Sequence, residues 1–379
     1  MAGIYIHIPF CRQACHYCNF YFSTSQQQRA AWLEALLEEI RLQGDFFTAA
    51  GQDPDPLATL YLGGGTPSLL DTAELAAIFG QLRRYFLFEH DAEITLEANP
   101  DDVDAEKLQA WKQLDIRRLS IGVQSFSGDD LRGMHRAHDS RQALQSILLA
   151  QQHGFSNLSA DLIYGTPTLD DGQWRHNVEQ LLGLGLPHLS CYALTVEPHT
   201  ALDSMIRRKQ YPPVDPGKAA RQAGLLETWL EDAGYEHYEI SNFAKPGHRA
   251  RHNSSYWQGV PYLGLGPAAH SFNGHTRQWN IANTALYIKS IREGRIPCEQ
   301  EVLTPDQQYN EYIMTALRTL EGCDLELVAG RFGAEKRKKL EKESGRFLRD
   351  GRMLQEGARL RLSPRGRLFA DGIAADLFC

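Results

Sequence analysis

Short apolar runs alternate with amphipathic helical segments through the first half of the chain. Six runs have the length and residue types of buried strands, at 4–8, 59–62, 93–97, 117–123, 158–164 and 188–194. Helical periodicity appears between them, at 31–42, 72–85, 141–152 and 174–182. Strands that alternate with helices pair in parallel through right-handed crossovers. The pattern predicts an α/β fold, as a barrel or an open doubly wound sheet, with functional residues at the carboxyl ends of the strands.

The pattern changes after Gly234. Residues 235–298 are rich in Tyr, His, Asn, Gly and Pro and have poor periodicity, which indicates a packed connecting region. Helical segments follow at 306–320, 325–332 and 334–350, and then a predicted hairpin in which 359–362 and 367–369 flank 363–366. The chain is therefore divided into a core domain (1–234), a connecting region (235–300) and a smaller helical, winged-helix-like domain (301–379).

Composition narrows the class of protein. A hydrophobic content of 42% and a charged content of 23% over 379 residues are typical of a soluble globular protein. The net charge of −8 argues against general nucleic-acid binding. Residues 331–367 are locally basic, but such faces are usually solvated or contact acidic partners or membrane surfaces, so we expect no nucleic-acid partner. No run approaches the ~20 apolar residues that cross a bilayer, and no signal peptide is visible, so we expect a cytoplasmic protein without a transmembrane segment.

Three of the seven cysteines lie within eight residues, directly after the first strand. Cys11, Cys15 and Cys18 have the spacing C-x3-C-x2-C. Zinc sites and electron-transfer clusters usually have four protein ligands. Three thiolates on a [4Fe–4S] cluster leave one iron open, as a catalytic site needs. A zinc knuckle or unmodified thiols are the alternatives. The remaining cysteines are scattered, and we expect them to behave as small buried hydrophobes.

Polar or glycine-rich residues follow the next strands. Gly63-Gly64-Gly65-Thr66-Pro67 follows the second strand and differs from phosphate-binding loops, so it is either a cofactor contact or a tight turn. Further polar residues occupy corresponding places in and after later strands: Glu97, Asn99, Gln124, Arg136 and Asp161. Each alone would be an ordinary capping or ion-paired residue, but together they predict one polar mouth.

These motifs resemble a known family. Tyr5 to Cys11, the Gly-Gly-Gly-Thr-Pro turn, Glu97 to Pro100, Gly122 to Ser125 and Asp161 to Gly165 are similar to the oxygen-independent coproporphyrinogen dehydrogenases and their relatives in the radical S-adenosylmethionine (SAM) superfamily. The resemblance covers almost the whole chain. It implies a partial (β/α)6 barrel with a [4Fe–4S] cluster held by the three cysteines and by SAM. It also implies SAM-binding residues, some serving a second SAM: Tyr5, Tyr17, Gly64, Gly65, Thr66, Glu97, Gln124, Arg136 and Asp161.

Two departures separate this chain from the dehydrogenases. The dehydrogenases carry a fourth cysteine two residues after the third, at the position where this chain has Phe20. They also carry an extension before the first strand, where this chain begins. Residues 251–257 instead resemble the H-N-x-x-Y-W motif of the HemW-type heme chaperones. This resemblance implies a chaperone that binds heme through His252 and delivers it to recipient hemoproteins, such as respiratory enzymes at the cytoplasmic membrane face.

Several alternatives stay open. His252 has a purely structural interpretation, and other histidines are candidate heme ligands: His7, His16, His199, His248 and His270. The rival function is coproporphyrinogen dehydrogenation. The sequence assigns no catalytic residue and leaves open whether SAM is cleaved and whether the chain forms a homodimer.

Overall fold

The computed structural model of the protein describes residues 2–48 and 55–379. The first part of the chain alternates strands and helices: β1 (Gly3–Ile8), α1 (Arg29–Leu42), β2 (Leu57–Gly64), α2 (Thr72–Tyr85), β3 (Phe88–Ala98), α3 (Ala105–Gln113), β4 (Arg118–Gln124), α4 (Gly128–Gly133), α5 (Ser140–Gln152), β5 (Asn157–Tyr164), α6 (Asp171–Gly183), β6 (His188–Ala193), α7 (Ala201–Arg207) and α8 (Pro216–Asp232). Several of these helices begin at a reciprocal capping box, as Asp71 with Glu74 does at α2.

The six predicted strands form one parallel wall. They lie in the order β1-β2-β3-β4-β5-β6, and each neighbouring pair is parallel. A doubly wound sheet would reverse its strand order at a switch point. The sequential order therefore identifies the barrel-like alternative.

The two faces of this wall differ in chemistry. Paired residues on neighbouring strands share a face, so Ile4, Leu60 and Ile94 form an apolar row that belongs to the main core. The alternate rows carry polar side chains, such as Tyr5 beside Tyr61, and Glu97 beside Ser120. The alternation gives the wall an apolar face and a polar face that ends at the carboxyl edge.

Residues 235–300 form more regular structure than their poor periodicity predicts. They contain β7 (Glu236–Glu239), β8 (Asn242–Ala244), α9 (Arg251–Trp257), β9 (Tyr262–Leu265), β10 (His270–Phe272), β11 (Thr276–Asn280), α10 (Thr284–Arg292) and the start of β12 (Cys298–Val302). These strands extend the wall at both ends, giving the order β12-β11-β10-β9-β1 on one side and β6-β8-β7 on the other. Strands this short carry too few residues to show a period of two, so the poor periodicity of this region did not reveal its regular structure.

The last part of the chain has a core of its own. It contains α11 (Pro305–Ala316), β13 (Cys323–Asp324), α12 (Leu325–Phe332), α13 (Ala334–Arg349), β14 (Met353–Glu356), β15 (Arg359–Leu362), α14 (Pro364–Arg367) and α15 (Ala370–Asp376). The predicted hairpin was wrong, because β15 pairs with β14 across Gly357. Ser363 caps α14 and Pro364 is its first residue, so the predicted turn at 363–366 is the start of a helix.

Candidate functional site

The three clustered cysteines line a cavity of about 410 Å³ at the carboxyl edge of the wall. Eight of the nine residues assigned to SAM by resemblance line the same cavity: Tyr17, Gly64, Gly65, Thr66, Glu97, Gln124, Arg136 and Asp161. The expectation of one polar mouth is therefore confirmed. Tyr5 differs, because it lines a second, larger cavity and its hydroxyl lies 3.1 Å from Nδ1 of His7.

The cysteine loop is held by the connection that follows β4. Nδ1 of His16 donates to the carbonyl oxygen of Gly133 at 3.0 Å, and its ring stacks on His135 with a centroid distance of 4.7 Å. The side chain of Gln13 donates to the carbonyl oxygen of His135 at 2.9 Å. These supports escaped the sequence analysis, because the partners lie more than a hundred residues apart.

Two donors point at the thiols. Nη1 of Arg136 lies 3.4 Å from Sγ of Cys15, and Oγ1 of Thr66 donates to Sγ of Cys11 at 3.4 Å. Arg136 is itself oriented by Asn99, whose Oδ1 accepts from its Nη2 at 2.7 Å. A cation beside a sulfur favours its thiolate, the form that binds metal. Burial nevertheless raises the pKa of Cys11 to about 11, so ligation must supply further positive charge.

The backbone at the edge of the cavity has positions that exclude a Cβ atom or have a positive φ. Gly65 could not carry a Cβ atom, since it would lie 2.6 Å from the carbonyl oxygen of Phe10. Gly64 has φ of 106°, a conformation that favours glycine. Gln124, at the end of β4, has φ of 66°, which is uncommon for a residue with a side chain. Such strain is concentrated at ligand-binding sites, in agreement with the assignment of Gln124 to this one.

Two carboxyl groups lie at the base of the cavity. The hydroxyl of Tyr61 donates to Oε1 of Glu97 at 2.7 Å, and Ser120 donates to Oδ1 of Asp161 at 3.3 Å. Burial raises the pKa of Glu97 to about 7 and also raises that of Asp161. A cationic ligand would offset this burial, so the site suits a molecule that carries a positive charge.

The thiols suit a cluster better than a single ion. Within residues 2–48 and 55–379, no three Cys, His, Asp or Glu side chains converge as ligands of one metal ion. A [4Fe–4S] cluster needs no such convergence, because its thiolates bind separate irons. Cys11, Cys15 and Cys18 would hold such a cluster, with Thr66 and Arg136 beside the sulfurs.

His252 offers no free ring nitrogen in this structure. Its Nδ1 lies 2.7 Å from Oγ1 of Thr59, its Nε2 lies 2.8 Å from the hydroxyl of Tyr256, and the residue is 2% exposed. Its ring also stacks on Tyr61 at a centroid distance of 5.1 Å. The geometry supports the structural interpretation, and heme ligation by His252 stays a prediction without support from these contacts.

A cleft of about 1080 Å³ opens beside the cysteine loop, between the sheet and the C-terminal domain. Asn19 and Phe20 line both this cleft and the smaller cavity. Its volume lies just above the ~300–1,000 Å³ that is usual for ligand sites. The cleft leaves no pattern in the sequence, since residues far apart in the chain form it.

Much of the basic stretch at 331–367 is neutralised locally. Arg337 pairs with Glu326 and Glu341, and Arg346 pairs with Asp376. Most exposed pairs of this kind contribute little to stability. Among the residues that the structure describes, every helix is too short or too polar to cross a bilayer.

Comparison with known proteins identifies the class. The profile of the Radical SAM superfamily matches residues 5–181, and that of the HemN C-terminal domain matches residues 303–369. The structure of coproporphyrinogen III oxidase (HemN) from Escherichia coli superposes with a TM-score of 0.86, over 100% of this chain and 90% of that one, at 23% identity. The protein therefore has the radical SAM α/β fold with a HemN-type C-terminal domain.

Closer relatives identify the family. The heme chaperone HemW of Mycobacterium tuberculosis H37Rv is 35% identical over 99% of this chain and 94% of its own length. HemW of Bacillus subtilis is 35% identical over 88% and 87%, and HemW of Escherichia coli K12 is 36% identical over 85% and 83%. The chain belongs to the family of HemW heme chaperones.

Proposed function

We propose that this protein is a heme chaperone that binds heme, a [4Fe–4S] cluster and SAM, and delivers heme to hemoproteins such as respiratory enzymes. The observation that carries the proposal is the match to HemW chaperones over nearly the whole chain. The large cleft beside the cysteine loop supports it, because heme needs a site of that size close to the cluster. The cytoplasmic location belongs to the same proposal.

The residues of the smaller cavity have distinct tasks in this proposal. Cys11, Cys15 and Cys18 would hold the cluster, which would supply one-electron chemistry to bound SAM. Arg136 and Thr66 orient the sulfurs by donating to them. The buried carboxyl groups of Glu97 and Asp161 receive the positively charged part of SAM, and the glycine turn leaves space for it. The chain would thus position the cofactor.

Coproporphyrinogen dehydrogenation is the second candidate, because the fold matches HemN. At 23% identity this likeness carries the fold alone. Phe20 replaces the fourth cysteine of the dehydrogenases and is 67% exposed where the two cavities meet. An apolar ring in place of a thiol removes a group that could take part in chemistry there.

One experiment separates the two functions. The anaerobically reconstituted protein is incubated with coproporphyrinogen III, SAM and a reductant, and in parallel with heme and an apo-hemoprotein. We expect no protoporphyrinogen, stoichiometric heme binding and transfer of heme to the acceptor. Formation of protoporphyrinogen would show that the protein is a dehydrogenase, and failure to bind heme would remove the chaperone proposal.

A further inference from the structure

The large cleft has the lining that a planar, amphipathic ligand requires. One wall is the β9–β10–β11 end of the sheet and the other consists of α9, α11 and α12. Aromatic rings contribute to both walls: Phe20, Tyr256, Trp257, Tyr262, Phe272 and Tyr312. Nε1 of Trp257 is buried and has no acceptor among the described residues, so a donor is available there. Flat apolar surfaces with few polar groups suit an extended ring system.

Among the residues that the structure describes, two histidines line this cleft, and they differ in whether their ring nitrogens are free to bind a ligand. His7 is 4% exposed, its Nε2 lies 2.7 Å from the carbonyl oxygen of Tyr21, and its Nδ1 lies near the hydroxyl of Tyr5. His270, the first residue of β10, is exposed, and within the described part of the chain neither of its ring nitrogens has a hydrogen-bond partner. The cleft walls desolvate this ring in part, and together with the nearby Arg277 they lower the pKa of His270, which favours the neutral imidazole that binds iron.

The backbone fixes the position of His270. A Cβ atom on Gly264 would lie 2.0 Å from the carbonyl oxygen of His270, so β9 and β10 approach closely at this point. The N–H of Gly264 also donates to Oγ of Ser271 at 2.9 Å. A ligand on a short strand held in this way is pre-organised, which reduces the entropy lost on binding.

Arginine side chains lie both on the wall that carries His270 and on the opposite wall of the cleft. Phe272 pairs with Arg277 in the β10–β11 ladder, so Arg277 lies diagonally from His270 on one face. Arg277 shares its charge with Glu311 at 2.9 Å. Arg331 of α12 lies in the opposite wall, and no carboxylate of the described residues pairs with it. Arg249, the third arginine of the cleft, is engaged by Glu236 and Glu321.

We infer that the cleft is the heme site, with His270 as axial ligand of the iron and with Arg331 and Arg277 receiving the two heme carboxylates. The assignment rests on the proposed chaperone function and adds the place and the orientation of the cargo. Among the described residues, a histidine with free ring nitrogens, aromatic walls and a guanidinium without an ion-pair partner meet in this cleft, whereas no histidine lines the cysteine cavity. Phe20 then separates the heme from the cluster cavity.

The test for the iron ligand is anaerobic titration of the reconstituted full chain with ferric heme, followed in the Soret band. We expect His270→Ala to lower heme affinity about 10- to 100-fold and to lose the imidazole-ligated spectrum, with both restored by added imidazole. His275→Ala is the matched control, since His275 is an exposed histidine in the turn after the same strand and lies outside the cleft. It should titrate as wild type.

The test for the carboxylates compares heme with its dimethyl ester. Arg331→Ala should weaken heme about tenfold and leave the ester unaffected, whereas Lys342→Ala, an exposed change in the same domain, should alter neither. Equal weakening of both ligands by Arg331→Ala would overturn the assignment of the carboxylates.

The outcomes distinguish the inference from the function on which it rests. If wild type binds no heme, the chaperone proposal fails. If wild type binds heme and His270→Ala binds it equally with an unchanged spectrum, the assignment of His270 fails. Loss of the spectrum in His252→Ala alone would move the ligand to His252. Should His270→Ala lower the cluster content, His270→Gln gives the same comparison with a larger side chain retained.

Discussion

His252 can be tested directly, because the structure gives it a structural role whereas the sequence motif implies that it binds heme. The structure predicts that His252→Ala lowers the free energy of unfolding and leaves heme affinity close to that of wild type. The ring connects α9 to the barrel wall, because one nitrogen bonds to Thr59 of β2, and its other nitrogen bonds to Tyr256 within α9. Both residues lose a partner when the imidazole is removed.

The size of the effect follows from these contacts. Each hydrogen bond contributes about 1 kcal/mol, and a buried group left unpaired costs about 1–3 kcal/mol. Thr59 is 1% exposed and cannot replace its partner with bulk water. The lost stacking on Tyr61 adds about 0.5–1.5 kcal/mol. We therefore expect a loss of about 3 kcal/mol, in the upper range for single substitutions.

The pH dependence gives a second, independent signature. Burial, with a smaller contribution from Arg118, lowers the pKa of His252 from 6.5 to about 3. Below pH 6.5 the unfolded chain therefore binds a proton at His252, whereas the folded protein does not. The contribution of the neutral imidazole to the free energy of unfolding is thus present above pH 6.5 and is lost as pH falls. From pH 7 to pH 5 the loss is about 2 kcal/mol. The alanine variant lacks this titration, so its deficit should shrink to about 1 kcal/mol at pH 5.

The assay is urea unfolding of wild type, His252→Ala and the control His275→Ala at pH 7 and pH 5, combined with heme titration of each. A deficit that stays the same at both pH values would contradict the buried neutral imidazole. A normal stability together with lost heme binding would refute the structural role and restore the ligand role predicted from the motif.

Three further substitutions test other parts of the structure. Cys15→Ala should lose most iron and sulfide after anaerobic reconstitution, as measured by metal and sulfide analysis. Cys298 does not line the cavity, so Cys298→Ala should keep both. Gly65→Ala should reduce cluster content and SAM binding measured by equilibrium dialysis, because its Cβ atom would collide with the backbone of Phe10; normal occupancy would show that the turn can shift. Burial raises the pKa of Glu39 to about 7, so its stabilising contribution is present below pH 4.5 and is lost as pH rises to about 7. Relative to wild type, Glu39→Gln should therefore gain about 2–3 kcal/mol in unfolding free energy between pH 5 and pH 8, and a constant difference would contradict this.

The regular part of the fold was predictable from the sequence because strong local signals coincide there. Helix α2 begins and ends where the periodicity predicts, since a capping box fixes its start at Asp71. The six parallel strands were predictable because each places apolar side chains in the main core. Where two local signals compete, prediction failed: Ser363 and Pro364 suit both a turn and a helix start, and pairing with β14 decides between them.

The candidate site also has parts that could be predicted from the sequence and parts that could not. The cysteine loop and the polar mouth were predictable, because carboxyl ends of parallel strands necessarily meet at one edge. Tyr5 precedes that edge by several residues, and the structure turns its side chain toward the cleft. The supports at His16 and His135 could not be found, since stacking between loops distant in sequence leaves no pattern in either loop.

The cleft could not be predicted from the sequence, and the physical reason also concerns its function. Its walls come from β10 near residue 270 and from α12 near residue 331, and each wall alone presents only an exposed histidine or an exposed arginine, which is ordinary on a surface. Docking of the C-terminal domain places these residues on opposite sides of one space and leaves Phe20 exposed between that space and the cysteine loop. A motif search weighs each residue in its own segment, so it selects the buried His252 within a recognisable string and passes over His270. The unpaired imidazole is the better candidate ligand because binding iron there breaks no existing hydrogen bond.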